Sequence, residues 1–494
     1  MQSSVEKNRL ALSRSTDAGK KSRLGQFLTS ERIATFMAGL FPADEGSCRL
    51  LDAGAGIGSL SAAFLERWRS GDFRFTEVEV DAYEVDPSLI ELLFQTLNAY
   101  AAEGKVRSRV RTVDYIHAAV DSLSQTLFSV PPESYTHAIL NPPYKKIGSN
   151  SAYRLALRSV GIEAVNLYNA FVALALAQLT PGGHMVAIIP RSFCNGPYYR
   201  PFREYVLKHA AIRHIHLFGS RNTAFKDDAV LQENVILHLQ RGVTQGPVTV
   251  SISTDDTFSD LYHHHHPFDR IVFPDDVERF IHIPLSPEYG ILERMDGVRF
   301  TLEDLGLSVS TGPVVDFRLK EHLRSLPEVG TVPLLYPAHV IDGKVLWPLE
   351  GMKKANAIAC NQETRKWLYP VGDYCVVRRF SAKEEKRRVV AGVVEANAFE
   401  QIAHLGFENH LNVFHADRRG LSKPMAYGLM LYLNTTAFDE AFRRFNGHTQ
   451  VNATDLRLMN YPGREVLIRL GEWAMARSTL TQAAMDDRFD EEMA

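Results

Sequence analysis

Residues 48–60 of the chain read CRLLDAGAGIGSL, and the rest of the fold can be worked out from this segment. A short apolar strand, Cys48 to Leu51, runs into a loop with three glycines, and a helix is predicted to begin near Ser59. Glycines let the backbone approach a ligand closely, and the free N–H groups at the start of a helix can bind polar ligand groups. The segment therefore predicts a nucleotide-cofactor turn in an α/β fold.

Two details of the loop narrow the choice of ligand. The glycines are spaced Gly54-x-Gly56-x-Gly58, whereas dinucleotide-binding enzymes carry Gly-x-Gly-x-x-Gly. Asp52 also lies directly before the loop. A carboxylate at this position suits a cationic, amine-bearing ligand such as S-adenosylmethionine better than it suits a pyrophosphate. An NAD-dependent oxidoreductase is the alternative from a different class of enzyme, and the glycine spacing disfavours it.

Acidic residues follow the next two predicted strands. The strand Val78 to Val85 ends around Glu84, which lies where a partner for ribose hydroxyls is expected. The strand Val110 to Val113 ends at Asp114, which we expect to accept a hydrogen bond from an adenine amino group. The alternative for Asp114 is an ordinary acid in a surface loop.

A fourth apolar strand, Ala138 to Leu140, is followed by the tetrapeptide Asn141-Pro142-Pro143-Tyr144. In open α/β sheets the carboxyl ends of the strands are where ligands bind, so the glycine loop upstream favours a chemical role over a simple proline-rich turn. The side-chain oxygen of Asn141 and the backbone carbonyl of Pro142 can accept both hydrogens of a planar amino group. The nitrogen lone pair is then available to attack a methyl group. The prolines fix the direction of the carbonyl, and Tyr144 can stack on a base that has been flipped out of a duplex.

The strand–helix alternations up to about residue 245 predict a doubly wound, Rossmann-like α/β domain. We predict a flexible basic arm at 1–23, a methyltransferase domain at 24–245, a loop-rich linker at 246–290 and a mixed α/β target-recognition domain at 291–494. His263 to His266 lie in the linker. Because consecutive residues point in different directions, we interpret them as part of a solvated loop and predict no metal site.

Basic residues cluster in the C-terminal part of the chain, with amide side chains close by. Cationic side chains suit contacts with phosphates and amides suit base edges, so this composition favours nucleic-acid binding over a merely solvated face. The predicted DNA-binding residues are Arg378, Arg379, Lys386, Arg387, Arg388, Arg443, Arg444, Gln450 and Asn452.

The composition of the 494 residues is that of an ordinary globular protein, with 45% hydrophobic and 23% charged residues. No apolar stretch is long enough to span a bilayer, and the polar residues 1 to 21 predict no signal peptide. The four cysteines are scattered, which suits a reducing cytoplasm and argues against a zinc ribbon. The net charge of −3 does not by itself indicate a nucleic-acid partner.

The order of these motifs resembles that of the γ-class amino-methyltransferases of restriction-modification systems, which methylate N6 of adenine in DNA. Gly25 to Ser30 is similar to the N-terminal cofactor motif of that class, and it is followed by the loop Asp52 to Gly58, the motif Asn141 to Tyr144 and a large C-terminal domain. Among these enzymes the glycine loop is most similar to the PstI/BsuBI-type branch. The segment 447–456, GHTQVNATDL, also resembles recognition domains of this group.

The resemblance implies further roles. Gln26, Phe27 and Thr29 would belong to the S-adenosylmethionine site. An aromatic residue after the strand that ends at Pro190 would pack on the flipped adenine. By its spacing this residue is Tyr199, with Tyr198 as the second choice. The implied partners are double-stranded DNA and a separate cognate restriction endonuclease in a bacterial cytoplasm, without a membrane.

Two alternatives remain at this stage. Asn-Pro-Pro-Tyr also serves methyltransferases that act on an RNA amino group or on a protein glutamine amide. Those chains usually lack a long basic C-terminal domain and the segment Gly25-Gln26-Phe27. The second alternative is a DNA-binding module whose cofactor fold is inactive, and the intact acid–glycine loop disfavours it.

Overall fold

The glycine loop lies at the carboxyl edge of a nine-stranded sheet in the computed structural model. The chain divides into two compact units, residues 1–287 and 288–494. The structure describes residues 2–15, 28–101, 104–124, 134–219, 233–274, 276–284, 297–380, 386–399, 401–446 and 450–493. Among the helices of these segments, none has both the length and the apolar character needed to cross a membrane.

The sheet of the first unit has the spatial order β3-β2-β1-β4-β5-β7-β6-β8-β9. Its strands are β1 Glu45–Ala53, β2 Arg74–Tyr83, β3 Val106–Arg111, β4 Tyr135–Leu140, β5 Leu179–Pro190, β6 Ala210–Phe218, β7 Asn234–Arg241, β8 Val248–Ser253 and β9 Tyr262–His266. The helices are Gln2–Ser15, Glu31–Gly39, Ser59–Arg69, Pro87–Ala101, Tyr115–Leu123, Ala152–Ser159, Leu167–Gln178 and Arg200–His209.

The strands β3, β2, β1, β4 and β5 run parallel, and β7 is antiparallel to both of its neighbours. From β1 the chain winds outward to β2 and β3, and then it returns to the other side of β1 for β4 and β5. The winding therefore reverses between β1 and β4. In open α/β sheets such a switch point leaves a crevice at the carboxyl ends of the strands, and this crevice is where ligands bind.

Hydrophobic cores cover both faces of the sheet. On one face the helices Glu31–Gly39, Ser59–Arg69 and Pro87–Ala101 contribute buried side chains. The helices Tyr115–Leu123 and Leu167–Gln178 do the same on the other face. The predicted doubly wound α/β fold is confirmed.

The structure corrects two predicted segments. Residues 2–15 of the predicted flexible arm form a helix, in which Val5 is buried and Arg9 is paired with Glu6. The predicted loop-rich linker 246–290 contains β8 and β9, which extend the sheet beyond β6. His263 to His266 belong to strand β9 and not to a loop.

The second unit has a mixed α/β structure, as predicted. Its sheets have the orders β11-β21-β18-β19-β15-β14 and β12-β16-β13-β20-β17, with a separate pair β10-β22. The strands are β10 Val298–Phe300, β11 Ser308–Thr311, β12 Leu323–Arg324, β13 Thr331–Leu335, β14 Val340–Ile341, β15 Lys344–Val345, β16 Ala357–Ala359, β17 Leu368–Pro370, β18 Tyr374–Arg378, β19 Ala391–Val394, β20 His404–Phe407, β21 Leu411–His415 and β22 Tyr461–Pro462. The helices are Lys423–Leu433, Thr436–Phe445, Ala453–Arg457, Arg464–Met475 and Gln482–Met493.

A row of histidines crosses the first sheet at the level of the middle of β4. His137 pairs in register with His184, and His238 pairs with His214. The rings of His184 and His238 approach to 3.0 Å between Nδ1 and Nε2. Burial lowers the pKa of His137 and of His214 to about 4 and that of His238 to about 3. The row is therefore neutral at pH 7.

This row predicts that the protein loses stability in acid. An unfolded histidine, with a pKa of about 6.5, binds protons more readily than these buried rings do. The free energy of unfolding should therefore be at its full value above about pH 6.5 and fall as the pH decreases toward 4. Thermal unfolding at pH 7.5, 6 and 5 measures this slope. His238→Asn should flatten the slope, whereas His117→Asn at an exposed position outside the row should not. Equal melting temperatures at pH 7.5 and pH 5 would contradict the prediction.

Candidate active site

The glycine loop has the conformation that its sequence requires. Gly54, Gly56 and Gly58 all have positive φ, at 79°, 59° and 85°. Gly58 is the N-cap of the helix Ser59–Arg69. The N–H groups of Gly54 and Ala55 both donate to the carbonyl of Tyr83, at 2.9 Å each. The turn is thus tied to the end of β2, and the left-handed backbone explains why glycines occupy these positions.

The side chain of Glu84 lies against the backbone of the glycine loop, and the residue is 3% exposed. Its Oε2 accepts from the Gly56 N–H at 2.8 Å, and its Oε1 accepts from the N–H groups of Val85 and Asp86. Burial raises the pKa of Glu84, while these backbone hydrogen bonds oppose the shift. The carboxylate therefore links the ends of β1 and β2 at the position predicted for ribose binding.

Asp52 is fully buried at the end of β1. Its Oδ2 accepts from the backbone N–H of Ser61 at 3.2 Å and from the Ser61 hydroxyl at 2.6 Å. Its Oδ1 has no hydrogen-bond partner. Burial raises the pKa of Asp52 to about 7, although the bonds from Ser61 lower it. A cationic ligand group nearby would stabilise the charged form of this acid.

A cavity of about 370 Å³ opens beside the loop, within the range of small-molecule sites. Its walls come from the carboxyl ends of β1, β2 and β4 and from the segment after β3, and they include Gly54, Glu84, Asp114, Pro143 and Phe171. Carboxylates stand beside apolar and aromatic walls in this cavity. This combination fits S-adenosylmethionine, which carries polar ribose and amine groups and a flat adenine ring.

Asp114 lines this cavity, but hydrogen bonds within the protein occupy its carboxylate. Its Oδ1 caps the helix Tyr115–Leu123 by accepting from the His117 N–H at 3.1 Å. Its Oδ2 accepts from the Tyr153 hydroxyl at 2.6 Å, and this bond helps to raise the pKa of Tyr153 to about 12. Tyr153 also lines the cavity. An adenine amino group that bound Asp114 would therefore compete with Tyr153.

The tetrapeptide Asn141 to Tyr144 follows β4 directly. Asn141 donates from Nδ2 to the Thr29 hydroxyl at 2.9 Å, and its Oδ1 accepts from the Tyr144 hydroxyl at 3.1 Å. Pro142 is buried, and Pro143 lines the cavity. Burial raises the pKa of Tyr144 well above its ordinary value, so its hydroxyl keeps its proton.

The register of β1 and β4 brings the two motifs together. Leu51 pairs with Ala138, so the two strands end at the same level and Gly54 stands opposite Asn141. A Cβ atom added to Gly54 would lie 3.8 Å from the Asn141 carbonyl and 3.9 Å from Cδ of Pro143. The predicted catalytic motif is therefore in contact with the predicted cofactor loop.

The two candidates for stacking on a base have different environments. Tyr199 is half-buried, and its hydroxyl accepts from Asn166 Nδ2 at 2.8 Å. Its ring centroid lies 6.1 Å from that of Tyr168, which in turn lies 6.1 Å from that of Tyr144. Tyr198 is 79% exposed. Tyr199 thus belongs to the aromatic cluster next to Asn141 to Tyr144, whereas Tyr198 faces solvent.

Two residues of the predicted cofactor set, Gln26 and Phe27, lie outside the described residues. Sequence reasoning missed Tyr153 and Phe171, which both line the cavity. Phe171 lies in a helix that is apolar on almost every side, so no periodicity sets it apart. Tyr153 follows a polar loop without a motif. Only the fold brings these two residues to the cavity.

The structure corrects the prediction for Arg388, which is 2% exposed. Its guanidinium group donates to Asn446 Oδ1 at 3.2 Å, and its backbone N–H donates to Asp439 at 2.7 Å. A side chain buried in this way cannot reach a phosphate without unfolding its surroundings. Arg388 is therefore a structural residue of the second unit.

The other predicted DNA-binding residues are at least partly exposed. Lys386 is exposed, and Arg443 forms an ion pair with Asp439 at 2.7 Å. Hydrogen bonds to neighbouring groups orient most of the remaining side chains. These half-buried residues are Arg378, Arg379, Arg387, Arg444, Gln450 and Asn452.

Comparison with known proteins gives matches along almost the whole chain. Residues 121–225 match the family described as Eco57I restriction-modification methylase. The chain is 50% identical over 475 residues to the Type II methyltransferase M.BsuBI of Bacillus subtilis, covering 95% of this chain and 94% of that protein. It is 42% identical over 472 residues to the Type II methyltransferase M.PstI of Providencia stuartii, covering 94% of this chain and 92% of that protein.

Among solved structures, the Type IIL restriction-modification enzyme MmeI in complex with DNA is similar in fold. The TM-score is 0.51 at 10% sequence identity, and the match covers 99% of this chain and 74% of that chain.

The buried carboxylate of Asp52 predicts a trade-off between stability and cofactor affinity. Its pKa lies above the unfolded value, so the folded protein carries an unfavourable buried charge above about pH 7. Asp52→Asn should increase the free energy of unfolding at pH 8 by on the order of a few kcal/mol, with a smaller gain at pH 5. The same change should weaken S-adenosylmethionine binding, measured by calorimetry. Asp121→Asn at an exposed position is the control. Unchanged cofactor affinity in Asp52→Asn would contradict the prediction.

The bond from Tyr153 to Asp114 predicts that Tyr153→Phe strengthens cofactor binding. Without the hydroxyl, Asp114 Oδ2 is available to the adenine amino group. A typical hydrogen bond contributes about 0.5–1.5 kcal/mol, so the Kd should fall by about 2- to 10-fold. Titration calorimetry at pH 7.5 measures the change, with Tyr205→Phe as a control elsewhere in the first unit. Weaker binding in Tyr153→Phe would mean that the hydroxyl contacts the cofactor instead of competing with it.

Proposed function

The chain belongs to the Type II methyltransferases of restriction-modification systems, and on that premise we propose that it methylates N6 of a flipped-out adenine in duplex DNA. The predicted family, activity and cofactor are confirmed, since this is a family of site-specific DNA methyltransferases that use S-adenosylmethionine. The observation that supports the proposal is the close approach of the glycine loop at Gly54 to Asn141 and Pro143 at the switch point of the sheet. Family membership disfavours an RNA amino group or a protein glutamine amide as the substrate.

Asn141 and Pro142 would activate the adenine amino group. The lone pair of this nitrogen is delocalised into the ring, so the nitrogen is a poor nucleophile. Two acceptors for its hydrogens, Asn141 Oδ1 and the Pro142 carbonyl, draw the nitrogen toward tetrahedral geometry. Pro142 is buried and its φ is locked, so its carbonyl is fixed before the base arrives. Such preorganised dipoles lower the barrier without reorganisation during the reaction.

The cofactor supplies a methyl group on a sulfonium, whose carbon–sulfur bond breaks with its electron pair remaining on sulfur. The adenine nitrogen forms the new carbon–nitrogen bond and releases one of its protons to solvent. The products are N6-methyladenine, the neutral thioether S-adenosylhomocysteine and a proton. The protein holds both reactants in line, and alignment of this kind can be worth roughly 7–11 kcal/mol.

The proposed cofactor contacts come from the cavity and the loop above it. Gly54, Gly56 and Gly58 would let the loop approach the ligand, with Glu84 at the ribose and Asp114 at the adenine. Asp52, which lies at the end of β1 directly before the loop, would stabilise the positive charge of the bound cofactor. The family resemblance adds Gln26, Phe27 and Thr29 to this set, although in the structure the hydroxyl of Thr29 is bonded to Asn141 Nδ2.

The flipped base would lie between aromatic rings. Tyr144 is the proposed partner on one face, and Tyr199 is the proposed partner on the other because it belongs to the same aromatic cluster. The exposed ring of Tyr198 is then the second candidate. Flipping costs a few kcal/mol, which stacking offsets.

The second unit is the proposed DNA-recognition unit. Its partly exposed basic and amide side chains, without Arg388, are the proposed contacts. Lys386 is the most accessible of the basic residues, so it suits a phosphate contact. We further propose that a separate endonuclease cleaves the same site when it is unmethylated, and that both proteins act in a bacterial cytoplasm.

Asn141→Ala should decrease methyl transfer to duplex DNA by about 10²–10³-fold, as for loss of one preorganised electrostatic partner. Binding of S-adenosylmethionine should stay nearly intact. The assay follows tritiated methyl groups into DNA, and digestion to nucleosides identifies the modified base. The exposed Asn98→Ala is the matched control and should keep wild-type turnover. Wild-type turnover in Asn141→Ala would disprove the catalytic role, and a product other than N6-methyladenine would disprove the proposed substrate.

A further inference from the structure

Two hydroxyl groups, those of Thr29 and Tyr144, form hydrogen bonds with the side chain of Asn141. Thr29 Oγ1 accepts from Asn141 Nδ2 at 2.9 Å. The Tyr144 hydroxyl donates to Asn141 Oδ1 at 3.1 Å and lies 3.2 Å from the Ile188 carbonyl. The nitrogen end of the amide therefore meets Thr29, and the oxygen end meets Tyr144.

The orientation of this amide decides whether it can act on an amino group. The two ends of a carboxamide have nearly the same shape, but one end accepts hydrogen bonds and the other donates them. If the side chain of Asn141 turned by 180°, an N–H group would face the N–H groups of the adenine. Those donors repel each other, and the amino nitrogen would stay planar. Activation thus requires a group that holds the nitrogen end away from the base.

Thr29 meets this requirement by acting as the acceptor for Asn141 Nδ2, which leaves Oδ1 on the side of Tyr144. The proposed base stacks on Tyr144, which contacts the oxygen end of the amide, while Thr29 holds the nitrogen end. Thr29 is 4% exposed, so water does not compete for the bond. It directly precedes Ser30, the N-cap of the helix Glu31–Gly39, and the buried face of that helix fixes its place.

We propose that Thr29 is a positioning residue for methyl transfer, whose hydroxyl keeps the oxygen of Asn141 directed at the target amino group. This inference rests on the proposed function and extends it. It assigns to Thr29 a role in the chemical step, in contrast to the cofactor contact implied by the family resemblance. The two roles differ in their kinetic consequences, since positioning affects kcat whereas a cofactor contact affects the binding of S-adenosylmethionine.

The test replaces Thr29 by valine, which has the same shape without the acceptor. Loss of a partner for this half-buried amide costs about 1–3 kcal/mol, so kcat at saturating cofactor and DNA should fall by about 10- to 100-fold. The Kd for S-adenosylmethionine should stay within about 2-fold of the wild-type value. Thr29→Ser restores the hydroxyl and should return kcat to near the wild-type value. Flipping of the base, followed by the fluorescence of 2-aminopurine at the target position, should be unchanged.

Thr136→Val is the matched control, because it removes a half-buried threonine hydroxyl of strand β4 that bonds to Arg49 and belongs to neither the proposed cofactor set nor the proposed catalytic set. It should lower the melting temperature and leave kcat near the wild-type value. A wild-type kcat in Thr29→Val, or a weaker Kd with kcat unchanged, would overturn the inference. Failure of the wild-type protein to methylate adenine would instead overturn the proposed function, so the two failures are distinguishable.

A second measurement tests whether Thr29 acts through Asn141. Tyr144→Phe keeps the aromatic ring but removes the hydroxyl that donates to the other end of the amide. If both hydroxyls orient one side chain, the loss of kcat in the double variant should be smaller than the product of the two single losses. If the double variant instead loses kcat by the full product of the two single losses, the two hydroxyls act independently and the inference is overturned.

Discussion

The pairing of β1 with β4 is the constraint on which the proposed active site depends. These neighbouring parallel strands end at the same level, so the residue after each strand stands opposite the residue after the other. Gly54 and Asn141 meet for this reason, although 87 positions separate them in the sequence. A shift of one residue in this register would turn the side chains at the ends of the strands to the other face of the sheet. The close packing of the buried side chains on both faces of the two strands disfavours such a shift.

Two buried acids beside the glycine loop add an electrostatic constraint to this geometry. Asp52 and Glu84 lie side by side below the glycine loop, where burial disfavours their charged forms. Hydrogen bonds from Ser61 and from backbone N–H groups offset only part of that penalty. In the free protein the charged forms of both acids are therefore destabilised, and a positively charged ligand would stabilise them. The cost in stability and the affinity for such a ligand have the same origin.

Much of this arrangement could be predicted from local sequence patterns. The strands β1, β4 and β5 contain apolar runs bounded by turn residues, and glycine or proline marks the loops that follow β1 and β4. The failures have physical reasons. Strand β8 alternates apolar and polar residues, and the edge strand β9 is largely histidine, so neither gives the continuous apolar run that marks β4 and β5. Arg388 is adjacent to other basic residues in sequence, but its burial depends on the distant residues Asp439 and Asn446.

The bond between Tyr153 and Asp114 has a consequence for the catalytic cycle if Asp114 takes the adenine of the cofactor. The adenine amino group then shares the Asp114 carboxylate with the tyrosine hydroxyl, so the affinity for the cofactor is lower than the same cavity would give without that hydroxyl. The same hydroxyl is ready to replace the adenine of the spent cofactor after transfer. An internal competitor of this kind shortens the residence time of the product. An enzyme that transfers one methyl group per bound cofactor turns over faster when the spent cofactor dissociates rapidly.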